Sequence, residues 1–130
     1  MEGSGSFRAC ARWPGAEGRD GQGTVVDFGV ALGRVLVRTA EAGGTVDLTA
    51  QVEGFLKAAG LEAGWVNVHT RHATTGICIG EEEPLPRTAE TLGVAGGRLL
   101  LGRQQRVLLV ERDGPREREV SLLAMGERRG

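Results

Sequence analysis

The sequence lacks tyrosine and holds only three phenylalanines and two tryptophans, so the core of its fold must be built mainly from aliphatic side chains. It also holds only two cysteines, Cys10 and Cys78, which lie far apart in the chain. Such a separation is neither the spacing of a disulfide framework nor that of a zinc site. We therefore expect reduced thiols, as in a cytoplasmic protein.

The chain also has little net charge and no long hydrophobic run. Its formal net charge is −1, and basic and acidic residues are interspersed, so no basic surface for nucleic acid or an anionic membrane is apparent. No apolar run approaches the roughly 18 residues of a membrane span. The N-terminus lacks the apolar stretch of a secretory signal. We expect a cytoplasmic protein without nucleic-acid or membrane partners.

A chain of 130 residues is most simply one domain. Residues 1–23 are rich in glycine and show no periodicity, so they predict a flexible leader. The amino-acid composition changes at about Thr24, and we expect a single domain over residues 24–126. The last residues, 127–130, are expected to form a tail.

One stretch predicts an amphipathic helix. In "LTAQVEGFLKAAGL" the apolar residues recur at i, i+3, i+4 and i+7, with Thr49 as the expected N-cap and Gly60 just past the end. The residues that would form the buried face are Val52, Phe55, Leu56 and Ala59.

Most of the other apolar stretches predict strands. "TVVDFGVALGRVLVRT", "TVDL", "GRLLLG", "QRVLLVE" and "REVSLLAM" are strand candidates, and residues 84–97 are expected to form a loop. "GWVNVHT" alternates Trp65, Asn67 and His69 with two valines, and "GICI" is expected to pair with it as a hairpin. This pattern indicates an α+β fold, in which one main amphipathic helix covers a face of a mixed or antiparallel sheet.

Of the two histidines, His72 is the candidate functional residue. His69 and His72 would point to opposite faces of a strand, which disfavours a shared zinc ion. His72 follows the strand in a turn of small residues, where Thr74 and Thr75 supply hydroxyls. As a group that titrates near neutrality, His72 could act as an acid or base or donate to an anion. Alternatively, it is a turn histidine whose ring satisfies backbone groups.

Two further polar stretches are candidate ligand contacts. Glu81 and Glu83 would share a face of an extended run and could hold a divalent cation together with His72, or they form part of a solvated charge run. In "GRQQR", Arg103 and Arg106 could hold a phosphate or carboxylate. A polar hairpin loop would have the same composition.

The stretch from residue 45 to residue 85 resembles the front half of the YjbQ-like family, sometimes labelled secondary thiamine-phosphate synthase. The matching positions are His72, Thr74, Gly76, Ile77, Ile79, Glu81, Glu83 and Pro84. Departures are the exchanged residue types at Ala73 and Thr75, and Cys78, Gly80 and Glu82.

The back half, "GGRLLLGRQQRVLLVERDGPREREVSLLAMGE", is similar to the same family. The matching positions are Gly97, Arg98, Leu99, Gly102, Gln105, Glu111, Asp113, Gly114, Pro115 and Arg116. Arg103 and Gln104 replace a threonine and a tryptophan. Between the two halves the family carries a longer segment with a second histidine cluster, which here is reduced to residues 85–96.

The resemblance implies an α+β fold, a homotrimer, and a pocket near the subunit interface built from His72, Thr74, Glu81, Glu83 and Gln105. For some members it implies weak thiamine-phosphate synthase activity, with a divalent cation as a candidate cofactor. Here Arg103 could stand in as the contact to a phosphorylated ligand. The alternatives are a non-catalytic oligomeric module, and a small-anion-binding protein that uses Arg103 and His72.

Overall fold

The computed structural model describes residues 3–9, 17–19, 25–80 and 86–129, and residues up to 27 by their backbone alone. The elements in chain order are β1 Gly3–Ala9, β2 Glu17–Arg19, β3 Val25–Arg38, β4 Thr45–Asp47, α1 Thr49–Ala59, β5 Leu61–Thr70, β6 Thr75–Ile79, β7 Ala89–Ala95, β8 Arg98–Leu99, β9 Val107–Glu111 and β10 Glu117–Arg128. None of the helices in these described ranges is long and apolar enough to cross a membrane.

The strands form two sheets in which every strand pair is antiparallel. The large sheet has the order β1-β3-β10-β5-β7-β8, with β2 also paired to β3, and the small sheet has the order β4-β9-β6. With the single described helix, this architecture confirms the predicted α+β fold. The predicted hairpin between β5 and β6 is wrong, because β10 and β7 occupy both edges of β5 and β6 pairs with β9 instead.

The helix matches its predicted face. Val52, Phe55, Leu56 and Ala59 are buried, and Gly60 ends the helix in the left-handed conformation with φ 71°. Its start differs from the prediction, because Thr49 is the first helical residue rather than the N-cap. The Thr49 N–H donates to the Asp47 carboxylate at 2.9 Å, and the Thr49 hydroxyl accepts from the Val107 N–H at 2.9 Å.

The large sheet has one buried and one open face. The inner face contributes alternate residues to the aliphatic core, among them Val35, Val37, Val66, Val68, Val120 and Leu122. We call the opposite side, which carries the intervening residues of β3, β10 and β5, the outer face. As predicted, Trp65, Asn67 and His69 lie on this side, opposite the buried valines of β5.

Three sequence boundaries need correction. Residues 89–95, expected in a loop, form strand β7, because β5 offers a free edge that pairs with them despite their weak β pattern. Residues 3–9 and 17–19, expected in a flexible leader, form strands against β3, and the rest of residues 1–23 lies outside the described chain. The expected tail at 127–130 is shorter, because β10 continues to Arg128, which pairs with Leu61 at the start of β5.

Candidate functional site

The His72 turn comprises residues 72–75 and joins β5 to β6. The Thr75 N–H and the Thr75 hydroxyl both donate to the His72 carbonyl, at 3.3 and 3.1 Å. The Thr70 hydroxyl lies 2.6 Å from the Thr75 hydroxyl and accepts from the His72 N–H at 3.3 Å. Thr75, predicted as a ligand contact, therefore uses its hydroxyl to close the turn.

The His72 imidazole completes the hydrogen bonding of β10. Strand β5 ends at Thr70, which pairs with Val120, so β5 supplies no residue opposite Glu119. The Glu119 N–H donates instead to His72 Nε2 at 3.2 Å. Because a backbone N–H can only donate, Nε2 must be unprotonated, and the proton of the neutral ring resides on Nδ1. The ring thus satisfies a backbone group, as the alternative interpretation expected, and is held in one orientation.

Next to this turn lies a buried ion pair between Glu111, which is 0% exposed, and Arg118, which is 5% exposed. Arg118 Nε donates to Glu111 Oε1 at 2.8 Å, and Arg118 Nη2 bonds to Glu111 Oε2. The Thr39 hydroxyl donates to Oε1 at 2.6 Å, and the Asp113 N–H donates to Oε2 at 3.0 Å. Hydrogen bonds from Arg118 lower the pKa of Glu111 to about 2, against the opposing effect of burial.

The ion pair also contacts the His72 turn directly. Arg118 Nη2 donates to the Thr74 hydroxyl at 2.8 Å, and the Arg112 N–H donates to the Thr74 carbonyl at 2.9 Å. Thr74 was predicted from the sequence to lie at the site, whereas Glu111 and Arg118 were not. The available signal was a charged residue at inward-facing positions of two otherwise apolar strands.

Arg103 and Gln105 lie at the other end of the small sheet. The Gln105 side chain folds back to accept from the Gly102 N–H at 2.7 Å, and Arg103 is exposed. Thr75 pairs with Glu111 at one end of β6, whereas Ile79 pairs with Val107 at the other. Four residue steps along the strand separate these ends by roughly 13 Å. The structure therefore does not bring Arg103 together with His72 in one anion site, and Arg106 pairs with Asp47 at 2.7 Å.

Glu81 and Glu83 lie outside the described residues, so their proposed share in the site stays a prediction. Gly80, which precedes them, donates its N–H to the Arg106 carbonyl at 3.2 Å. Within residues 25–80 and 86–129, no group of three or more His, Cys, Asp and Glu side chains could hold a metal ion. Cys78 is buried, and burial raises the pKa of its thiol, which does not favour an activated thiolate.

The outer face of the large sheet borders the His72 turn. Glu119 links two arginines there, with Oε1 at 3.3 Å from Arg34 Nη1 and Oε2 at 3.6 Å from Arg71 Nη2. An open depression of about 500 Å³ lies on this face next to the ion pairs. Its lining includes Leu32, Asn67, His69, Arg71, Ser121 and Leu123.

Comparison with known proteins agrees with this architecture. A "YbjQ-like protein of unknown function" from Sulfolobus solfataricus P2 superposes with a TM-score of 0.71, at 24% identity over 77% of this chain and 99% of its own. A hypothetical protein from Aeropyrum pernix K1 superposes with a TM-score of 0.68, at 30% identity over 74% of this chain and 98% of its own.

Sequence comparison gives the same relationship. The UPF0047 protein YugU of Bacillus subtilis is 29% identical over 126 residues, covering 69% of this chain and 96% of that protein. A UPF0047 protein of Methanothermobacter thermautotrophicus is 25% identical over 127 residues, covering 70% and 89%. The profile of the family described as UPF0047 protein YjbQ-like matches residues 34–88 and 85–127, and the two matches meet where the shortened segment begins. The chain therefore belongs to the YjbQ-like UPF0047 family.

Proposed function

We propose that this chain is an oligomeric protein, a homotrimer, whose subunits meet through the outer face of the large sheet. The observation that carries the proposal is a group of large apolar side chains left open on that face. Phe28, Leu32, Leu36 and Trp65 are each between 36 and 44% exposed. A soluble monomer rarely exposes a large contiguous apolar patch, and such patches typically mark interaction surfaces.

The strand register makes the apolar surface continuous from Leu32 to Trp65, whereas Leu36 lies beside Glu119 on the far side of Arg34. Leu32 lies beside Leu123, and in the next row Met125 lies between Val30 and Trp65. The ion pairs of Glu119 with Arg34 and Arg71 lie at one end of these rows. An apolar centre with a polar rim is the usual anatomy of a protein interface. In a closed ring of three copies this surface would pack against a different surface of the neighbouring subunit, which would bury the apolar rows and keep the charges at the edge.

The substitution Leu32→Glu tests this interface. A carboxylate in the centre of the apolar rows is expected to convert the trimer into monomers, because burying an unpaired charge is costly. The mass in solution can be measured by size-exclusion chromatography with light scattering. Leu32 is exposed in the single chain, so the monomer should keep its circular dichroism spectrum.

The matched control is Ala58→Glu, which adds the same charge to an exposed position of α1 and should leave the trimer intact. A monomeric or dimeric wild-type chain would contradict the proposed trimer. A trimer that survives Leu32→Glu would move the interface to another surface.

A second candidate function is a transferase reaction of the thiamine-phosphate synthase type. The observation in its favour is the orientation of His72, whose ring is held by Glu119 at the border of the proposed interface. Nδ1 carries the proton and has no hydrogen-bond partner among the described residues. In such a reaction a thiazole phosphate displaces pyrophosphate from a pyrimidine, and an N–H donor would stabilise the leaving oxygen. His72 would serve as that donor.

Purified protein supplied with the two phosphorylated precursors and a divalent cation is expected to form thiamine phosphate, detectable by chromatography. His72→Ala should abolish the product, because it removes the donor. His69→Ala, in the only other histidine of the chain, is the control and should retain the product if its trimer is intact. An intact wild-type trimer that forms no product, or product that persists in His72→Ala, would leave a non-catalytic oligomeric module as the function.

A further inference from the structure

The buried ion pair lies where four elements meet. Thr39 follows β3, Thr74 precedes β6, Glu111 ends β9 and Arg118 is near the start of β10. These four side chains form one connected set of hydrogen bonds centred on the Glu111 carboxylate and the Arg118 guanidinium. The set therefore links both sheets at the end where the His72 turn lies.

The Arg118 guanidinium is a fixed donor within this set. Glu111 accepts from two of its nitrogens, which fixes the plane of the guanidinium. The Thr74 hydroxyl accepts from Nη2 at 2.8 Å, so the turn is bound to a guanidinium whose orientation is fixed by Glu111. A lysine ammonium would not reproduce this contact, because it lacks the planar fork of donors.

Two consecutive residues of β10 thus hold two residues of one turn. Arg118 binds Thr74 through its side chain, and Glu119 binds the His72 ring through its backbone N–H. Only Ala73 separates His72 from Thr74. A displacement of Thr74 would therefore be transmitted to the imidazole over a very short length of chain.

We propose that Arg118 is a positioning residue for His72: held by Glu111, it anchors Thr74 and so keeps the imidazole on the Glu119 amide with its proton on Nδ1. This role rests on the assignment of His72 to the functional site. The proposed chemistry of His72 would then also depend on two further residues, Arg118 and Glu111, although neither needs to touch a ligand.

The experiment is ¹⁵N NMR of the full chain at about pH 8, where an unperturbed imidazole is neutral. The wild type should give the Nδ1–H tautomer of His72 and a scalar coupling between the Glu119 amide nitrogen and His72 Nε2. Thr74→Val and Thr74→Ala are both expected to abolish this coupling and to mix the two tautomers. Thr74→Ser, which keeps the hydroxyl, should restore the wild-type signals.

The matched control is Thr39→Val. It removes a hydroxyl from the same carboxylate but does not touch the turn, so the His72 signals should remain as in the wild type. The proposal is overturned if the coupling persists in folded Thr74→Val and Thr74→Ala, if Thr39→Val changes it equally, or if the wild type lacks it. These readouts need neither substrate nor assembly, so they separate this proposal from failure of the trimer or of the transferase reaction.

Discussion

Replacement of Arg118 by methionine is expected to lower the free energy of unfolding by about 3 to 5 kcal/mol, because Glu111 would remain as an unpaired buried charge. Glu111 is fully buried, and its remaining donors, the Thr39 hydroxyl and the Asp113 N–H, do not neutralise it. The double replacement Glu111→Gln with Arg118→Met should cost much less, since it removes both charges and keeps similar volumes. Urea unfolding followed by circular dichroism measures both changes.

The same substitution at an exposed ion pair provides the control. Arg34→Met removes the partner of Glu119 on the outer face, where surface pairs contribute at most about 1 kcal/mol. Equal losses for Arg118→Met and Arg34→Met would mean that the Glu111 charge is not isolated from water. A double replacement as costly as the single one would show that the pair itself, rather than charge neutrality, stabilises the fold.

The substitution Gly126→Ala is expected to cost about 3 kcal/mol or more, because it adds a steric clash to a strained backbone conformation. Gly126 has φ 156°, and a Cβ there would lie 2.1 Å from the Ala63 carbonyl oxygen. Its cross-strand partner Gly64 has φ 153°, and a Cβ there would lie 2.2 Å from the Met125 carbonyl oxygen. Both clashes are with backbone atoms, so side-chain movement cannot relieve them. Urea unfolding of Gly126→Ala measures the cost.

Gly54→Ala is the matched control for that experiment. Gly54 lies in α1, and a Cβ there would meet no atom within 4 Å. Alanine is the better helix former by roughly 0.5 to 1 kcal/mol, so this variant should be more stable than the wild type. A Gly126→Ala variant that loses less than about 1 kcal/mol would indicate that β5 and β10 can separate at this point without strain.

Local periodicity was enough to predict the helix and several strands. The helix face from Val52 to Ala59 and the alternation of β5 are both burial patterns of a single element, so a short stretch of sequence contains the whole signal. Strand β7 was missed because glycines and prolines surround a weakly apolar run. Its pairing with β5 depends on a free strand edge that only the assembled sheet provides.

The candidate site was also only partly predictable from the local sequence. The sequence predicted that His72 and Thr74 lie together because they belong to one short stretch, and the structure places them in one turn. Arg103 was assigned to the same site, but the register of β6 with β9 places it at the opposite end of that strand. Residue type suggested an anion contact, whereas strand pairing decided which residues could meet.

The sequence by itself determined the fold class, the buried face of the helix and the family, because each depends on patterns within contiguous residues. Only the tertiary structure decided that Glu111 and Arg118 form a buried pair. Strand alternation marks each of them as inward-facing but does not show that they meet, and a charge becomes costly or useful only when neighbouring elements exclude water from it. The orientation of the His72 ring was decided in the same way, by a strand that ends one residue too early to satisfy the amide of Glu119.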